Sequence, residues 1–122
     1  MSWSSILIIG LVLAVFLGLK RLGLVSADTA RKYLKEGALV VDVRSTQEFK
    51  TGHLSNAVNI PLGELQTGLP RRVSDKNQVL LLHCLSGTRS GIARRALKAM
   101  GYANVFNLGS YGRAKSILNR QN

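Results

Sequence analysis

The chain has 122 residues, with 17 Lys plus Arg against 6 Asp plus Glu, a formal charge of +11, and a single cysteine. This length accommodates one hydrophobic core and excludes a two-domain enzyme. With Cys84 alone, neither an intrachain disulfide nor a cysteine-based zinc site can form, and His53 and His83 cannot complete a four-ligand set.

No charged residue occurs before Lys20, and Ile6 to Leu19 is unbroken apolar or glycine sequence. As a helix rising 1.5 Å per residue, the stretch from Met1 spans roughly 28 Å, against about 30 Å for a hydrocarbon core. A transmembrane anchor over 1–21 is therefore expected, with Trp3 at one interface and Lys20 and Arg21 at the other. Val25-Ser26-Ala27 resembles a signal-peptidase site, but the positive charges follow the apolar run instead of preceding it. By the same charge rule the N-terminus is expected outside and the domain over 22–122 in the cytoplasm, beside the membrane. Gly10, Ala14 and Gly18 recur every fourth residue and offer a face for a homodimer contact.

After a linker at 22–25, Ser26 is an N-cap and Ala27 to Glu36 reads as a helix closed by Gly37. Ala38 to Val43 is a short, β-branched apolar run and predicts a buried strand, followed by a loop with one helical turn over 45–52. Ala57 to Ile60 predicts a brief strand stopped by Pro61, and Leu62 to Leu69 a short helix ending before Pro70. Val79 to His83 predicts the next strand, and Ser90 to Met100 a helix closed by Gly101. Asn104 to Leu108 and Tyr111 to Leu118 give a last strand and a last helix. Strands alternating with helices imply an α/β domain with a mainly parallel sheet covered on both faces and functional loops at the strands' carboxyl ends.

Cys84-Leu85-Ser86-Gly87-Thr88-Arg89-Ser90 falls at such an end, between strand and helix. Backbone N–H groups at a helix N-terminus and a nearby guanidinium favour a thiolate and an anion beside it. A cysteine that is only packed has no need of Gly87, the Ser86 and Thr88 hydroxyls and Arg89 within the next five positions.

Two separated motifs, Val41-Asp42-Val43-Arg44 with Glu48-Phe49, Gly52-His53-Leu54, Ala57 and Ile60-Pro61, and then His83 to Ser90, resemble the rhodanese-like sulfurtransferase family over residues 26–109. The resemblance implies that Cys84 accepts a sulfane sulfur from a small anionic donor such as thiosulfate, or from a persulfide. The sulfur then passes to a thiol, cyanide or a sulfur-acceptor protein. It implies that Leu85, Ser86, Gly87, Thr88, Arg89 and Ser90 surround the donor, with Arg89 on its anionic end, and that no metal or organic cofactor takes part. Arg44 is expected either to line the pocket or to pair with Asp42, and His53 and His83 to be structural. Phosphatases of the same fold, as the resemblance implies, place five residues between Cys and Arg; here Leu85 to Thr88 are four, too few to cradle a phosphoryl group. Arg89, Arg94, Arg95 and Lys98 suggest a nucleic-acid surface but read as a solvated basic face, without the aromatic platform of a nucleic-acid site. A tethered, non-enzymatic persulfide carrier or binding module is the competing expectation.

Overall fold

A computed structural model describes residues 2–21 and 23–120, and the side chains of all of these except 19–21. The N-terminal helix, α1, runs over Trp3–Arg21. Its large apolar side chains, Ile8, Ile9, Val12, Leu13 and Phe16 among them, are exposed. Among the described residues no helix is long and apolar enough to cross a membrane. This overturns the expected transmembrane anchor over 1–21 and with it the single-pass orientation that put the N-terminus outside and the domain in the cytoplasm. The physical reason is length: the apolar run begins only after Ser4 and Ser5, and Ile6 to Gly18 rises only about 20 Å. The roles expected of Lys20 and Arg21 fall on side chains outside those described. At Gly10 and Gly18, an added Cβ would meet nothing within 4 Å.

The remaining chain builds α2 (Ala27–Lys35), β1 (Leu39–Asp42), α3 (Thr46–Thr51), β2 (Ala57–Asn59), a 3-10 turn (Leu62–Glu64), α4 (Leu65–Arg72), β3 (Leu80–His83), α5 (Thr88–Ala99), β4 (Val105–Gly109) and α6 (Tyr111–Asn119). The four strands form one parallel sheet in the order β2-β1-β3-β4. Its register brings Asn59, Asp42, His83 and Gly109 side by side at the carboxyl edge, with an irregularity in the β3–β4 pairing between Leu82 and His83.

Successive side chains of a strand point to opposite faces, so the apolar strands of a parallel sheet supply two cores at once. Val41, Leu80 and Leu82 pack with Leu65 and Leu69 of α4 and Ala93 and Leu97 of α5. Val40, Leu81 and Leu108 pack on the other face with Ala30 of α2 and Ala114 and Ile117 of α6. Burying each leucine contributes roughly 2 kcal/mol before the cost of ordering it.

Three local readings change. The 45–52 segment is a helix with a full capping box: Ser45 Oγ accepts the Glu48 N–H, and the Glu48 carboxylate accepts the Ser45 N–H. Helix α4 does not stop before Pro70 but carries it internally, and the Val73 N–H still bonds to the Leu69 carbonyl at 2.7 Å. Leu65 and Leu69, both buried, hold that helix against the core despite the missing proline N–H. Within the expected linker, Leu22 lies outside the described residues, while Gly23 to Val25 run alongside β4. The Asn107 N–H bonds to the Gly23 carbonyl at 3.2 Å and the Val25 N–H to the Asn107 carbonyl at 3.0 Å.

Candidate active site

Cys84 leaves the end of β3 and turns under the first turn of α5. Its Sγ accepts the Gly87 N–H at 3.0 Å and lies 3.5 Å from Ser90 Oγ. Gly87 has φ +101°, and a Cβ there would come within 3.3 Å of Gly109 Cα, so both backbone sign and space call for glycine. The loop is tied to the start of α6 by the Leu85 carbonyl, which accepts the Tyr111 N–H at 3.1 Å, and by a Ser86–Ser110 bridge. Burial pushes the Cys84 thiol up, but hydrogen bonds from the Ser90 hydroxyl and from the Ser90, Gly87 and Ser86 backbone N–H groups outweigh it and bring the thiol below its ordinary value. Cys84 itself is 0 % exposed, whereas Leu85, Ser86 and Thr88 stand at the surface above it.

Arg89 turns to Glu48 of α3. Nη1 donates to Oε1 at 2.6 Å and Nη2 to Oε2 at 3.0 Å, a two-point pair. The Arg89 guanidinium and the Ser45 backbone N–H hold the Glu48 carboxyl at about 2. Arg44 is nearly buried and turns to Asp42: Nε and Nη2 bond to its carboxylate at 2.8–3.1 Å, Nη2 also reaches the Gly52 carbonyl at 2.8 Å, and the guanidinium lies over the Tyr111 ring. Asn59 Nδ2 joins the Asp42 and Arg44 carbonyls. His83 is fully buried, with Nδ1 3.4 Å from the Cys84 carbonyl and Nε2 3.7 Å from Asp42 Oδ2. Burial lowers its pKa against the pull of Asp42. His53 stacks on Phe49, and its Nδ1 lies 2.9 Å from the Phe49 carbonyl. Among the described residues no group of three or more His, Cys, Asp or Glu side chains is placed to hold a metal ion.

This geometry of a parallel sheet, a cysteine at the end of β3 and amides wrapped around its sulfur coincides with a match of residues 26–112 to the rhodanese-like domain model. The chain belongs to the rhodanese-like domain family. It is similar to the thiosulfate sulfurtransferase PspE of Escherichia coli, at 38 % identity over 69 residues that cover 57 % of this chain and 66 % of that protein. The chain spans smaller shares of longer curated relatives, 38 % and 21 % for two of them. Among solved structures, an E. coli rhodanese with anions superposes with a TM-score of 0.61 at 34 % identity, over 63 % of this chain and 91 % of that one. The human single-domain sulfurtransferase TSTD1 gives 0.63 at 26 % identity, over 80 % and 96 %.

The rhodanese-like loop here rests on a residue that sequence reasoning passed over. Asn107, buried in β4, accepts the Ser90 hydroxyl at 2.7 Å and the Gly109 N–H at 2.8 Å on Oδ1, and donates from Nδ2 to the Gly87 carbonyl at 3.1 Å. Its amide thus ties both the Gly87 carbonyl and the Ser90 hydroxyl of the Cys84 loop to β4. Its signal was a polar side chain inside an otherwise apolar strand, Val105 to Leu108. In the sequence Glu48 stands only as one member of the upstream motif. The Ser45-x-x-Glu48 spacing already marks it as an N3 capping residue, but nothing local in sequence links it to Arg89, 41 positions away.

Proposed function

We propose that the protein is a sulfurtransferase that carries a sulfane sulfur on Cys84. One observation supports this most: the Cys84 sulfur lies under the Gly87 N–H at the first turn of α5, where the loop's hydrogen bonds lower its pKa. A thiolate there attacks the outer sulfur of thiosulfate, forming the Cys84 Sγ–S bond and breaking the donor's S–S bond, and sulfite leaves with the electron pair. With a persulfide donor the same attack releases the donor's thiolate. The loop amides that hold the thiolate also stabilise the negative charge of the Cys84 persulfide. A thiol or cyanide then attacks the outer sulfur of the persulfide and releases the Cys84 thiolate unchanged. The similarity to a thiosulfate sulfurtransferase agrees with this cycle. The Leu85 to Thr88 loop, four residues between Cys84 and Arg89, fits a sulfur atom better than a phosphoryl group.

A second reading, a persulfide carrier that discharges only to a dedicated acceptor protein, fits the single cysteine equally well. No second thiol in the chain can resolve the persulfide as a disulfide. Intact mass after thiosulfate exposure tests both. A gain of about 32 Da that Cys84→Ser abolishes, followed by repeated thiocyanate release with cyanide, is the outcome expected of the enzyme. The same gain without turnover identifies a carrier, and no gain with thiosulfate or any persulfide overturns sulfur transfer altogether.

A further inference from the structure

Arg89 is the guanidinium expected to meet an anionic donor, yet both of its terminal nitrogens are engaged by one carboxylate. Glu48 does not hang freely on the surface. The Ser45 N–H and Oγ both lie 3.1 Å from its Oε1, so the N-terminus of α3 fixes the carboxylate where Arg89 finds it. The other guanidinium at this edge of the sheet, Arg44, is paired with Asp42, and Arg113 of α6 is turned to the Leu108 and Val25 carbonyls. With Cys84 ionised, the loop's thiolate and Arg89 together with the Glu48 carboxylate that pairs it sum to minus one. A dianion such as thiosulfate meets that charge with two negative charges, whereas a persulfide brings at most one on its sulfur pair.

We infer that Glu48 sets the donor preference of the Cys84 site, withholding Arg89 from small dianions and matching the loop to thiol-persulfide donors. This rests on the sulfurtransferase reading and names the donor class within it. The chemistry is unchanged: the Cys84 thiolate attacks the outer sulfur of the donor persulfide, a Cys84 Sγ–S bond forms, the donor's S–S bond breaks, and the donor leaves as its thiolate. Glu48 touches neither reacting sulfur and acts through the charge of Arg89.

The test compares the full chain with Glu48→Gln, whose amide oxygen still accepts the Ser45 N–H and keeps the capping box, while the carboxylate charge and the acceptor of Arg89 Nη2 are lost. The ratio of kcat/KM for thiosulfate to kcat/KM for cysteine persulfide is expected to rise about tenfold in Glu48→Gln, the size of effect one partly screened charge gives. The gain is expected to disappear in Glu48→Gln combined with Arg89→Gln. A ratio that stays level or falls overturns the inference and makes Glu48 a residue that aims Arg89 at the donor. A parallel measurement needs no turnover: protection of Cys84 from iodoacetamide by sulfate, an inert dianion, with circular dichroism checking the fold. Sulfate is expected to protect the variant at about one-tenth the concentration needed for the native chain. Equal protection overturns the inference even where sulfur transfer holds. If neither donor adds sulfur to Cys84 in the native chain, the sulfurtransferase reading fails, and the sulfate comparison still decides whether Glu48 withholds Arg89.

Discussion

The Ser90 hydroxyl has one hydrogen and three acceptors in reach: Asn107 Oδ1 at 2.7 Å, the Gly87 carbonyl at 3.1 Å and Cys84 Sγ at 3.5 Å. With a neutral thiol the shortest contact takes the hydrogen. When Cys84 ionises, the sulfur becomes the strongest acceptor and the hydroxyl turns to it, while Asn107 keeps the Gly109 N–H. Ser90→Ala removes that donor but leaves the Gly87 amide in place. The Cys84 thiol is then expected to titrate higher than in the native chain, with burial less fully opposed. Iodoacetamide alkylation at pH 7 is expected to slow on the order of threefold. The pH profile of the alkylation rate checks this, and an unmoved profile would mean that the backbone amides alone hold the thiolate. The cysteine, the glycine and the hydroxyls of this loop were legible because they lie within seven consecutive residues. Asn107 was not, because its part in the loop exists only once β4 lies beside β3.

At the scale of elements, the strands and the helices α2, α5 and α6 stand close to where the apolar runs and their caps place them, within two residues at either end. Each carries its own signal, such as Ser26 accepting the Thr29 N–H and Ser110 the Arg113 N–H. Helix α4 continues through Pro70 because Leu65 and Leu69 decide its fate through tertiary packing that no local rule contains. The apolar N-terminal run misled for a different reason, since hydropathy reports apolar character, while spanning a bilayer also demands length. Buried His83 ends β3, and its element contributes a pH dependence. Its folded pKa is depressed by burial, so the unfolded chain binds the proton more readily. That contribution to stability is present above the ordinary value of about 6.5 and is lost as pH falls below it toward the folded value. Glu48, held at about 2, adds its own loss only lower, between about 4.5 and 2. The urea midpoint is expected to drop between pH 7.5 and 5.5, and His83→Gln, which cannot titrate, to flatten that slope. An equal slope in the two proteins would place the acid sensitivity elsewhere.

Across the whole molecule, the N-terminus divides into two parts with different ties to the rest. The side chains of α1 are exposed over most of its described length, whereas Gly23 to Val25 are built into the sheet. Val25 is buried in the second core, its carbonyl accepts from Arg113, and Arg94 lies so close over Gly23 that a Cβ there would meet its guanidinium at 2.6 Å. Gly23 and Val25 also share backbone hydrogen bonds with Asn107, whose side chain supports the Cys84 loop. Removing residues 1–22 is therefore expected to leave thermal stability and Cys84 reactivity close to those of the full chain. Removing 1–25 deletes the buried valine, worth about 2 kcal/mol, and two sheet hydrogen bonds, each worth about 1 kcal/mol. The shorter chain is expected to lose several kcal/mol in urea unfolding. Its Cys84 alkylation profile is expected to move toward higher pH as Asn107 loosens. Equal stability of the two truncations would show that the Gly23 to Val25 strand carries no weight in the fold, and a loss of stability with an unchanged profile would show that Asn107 holds the loop without it.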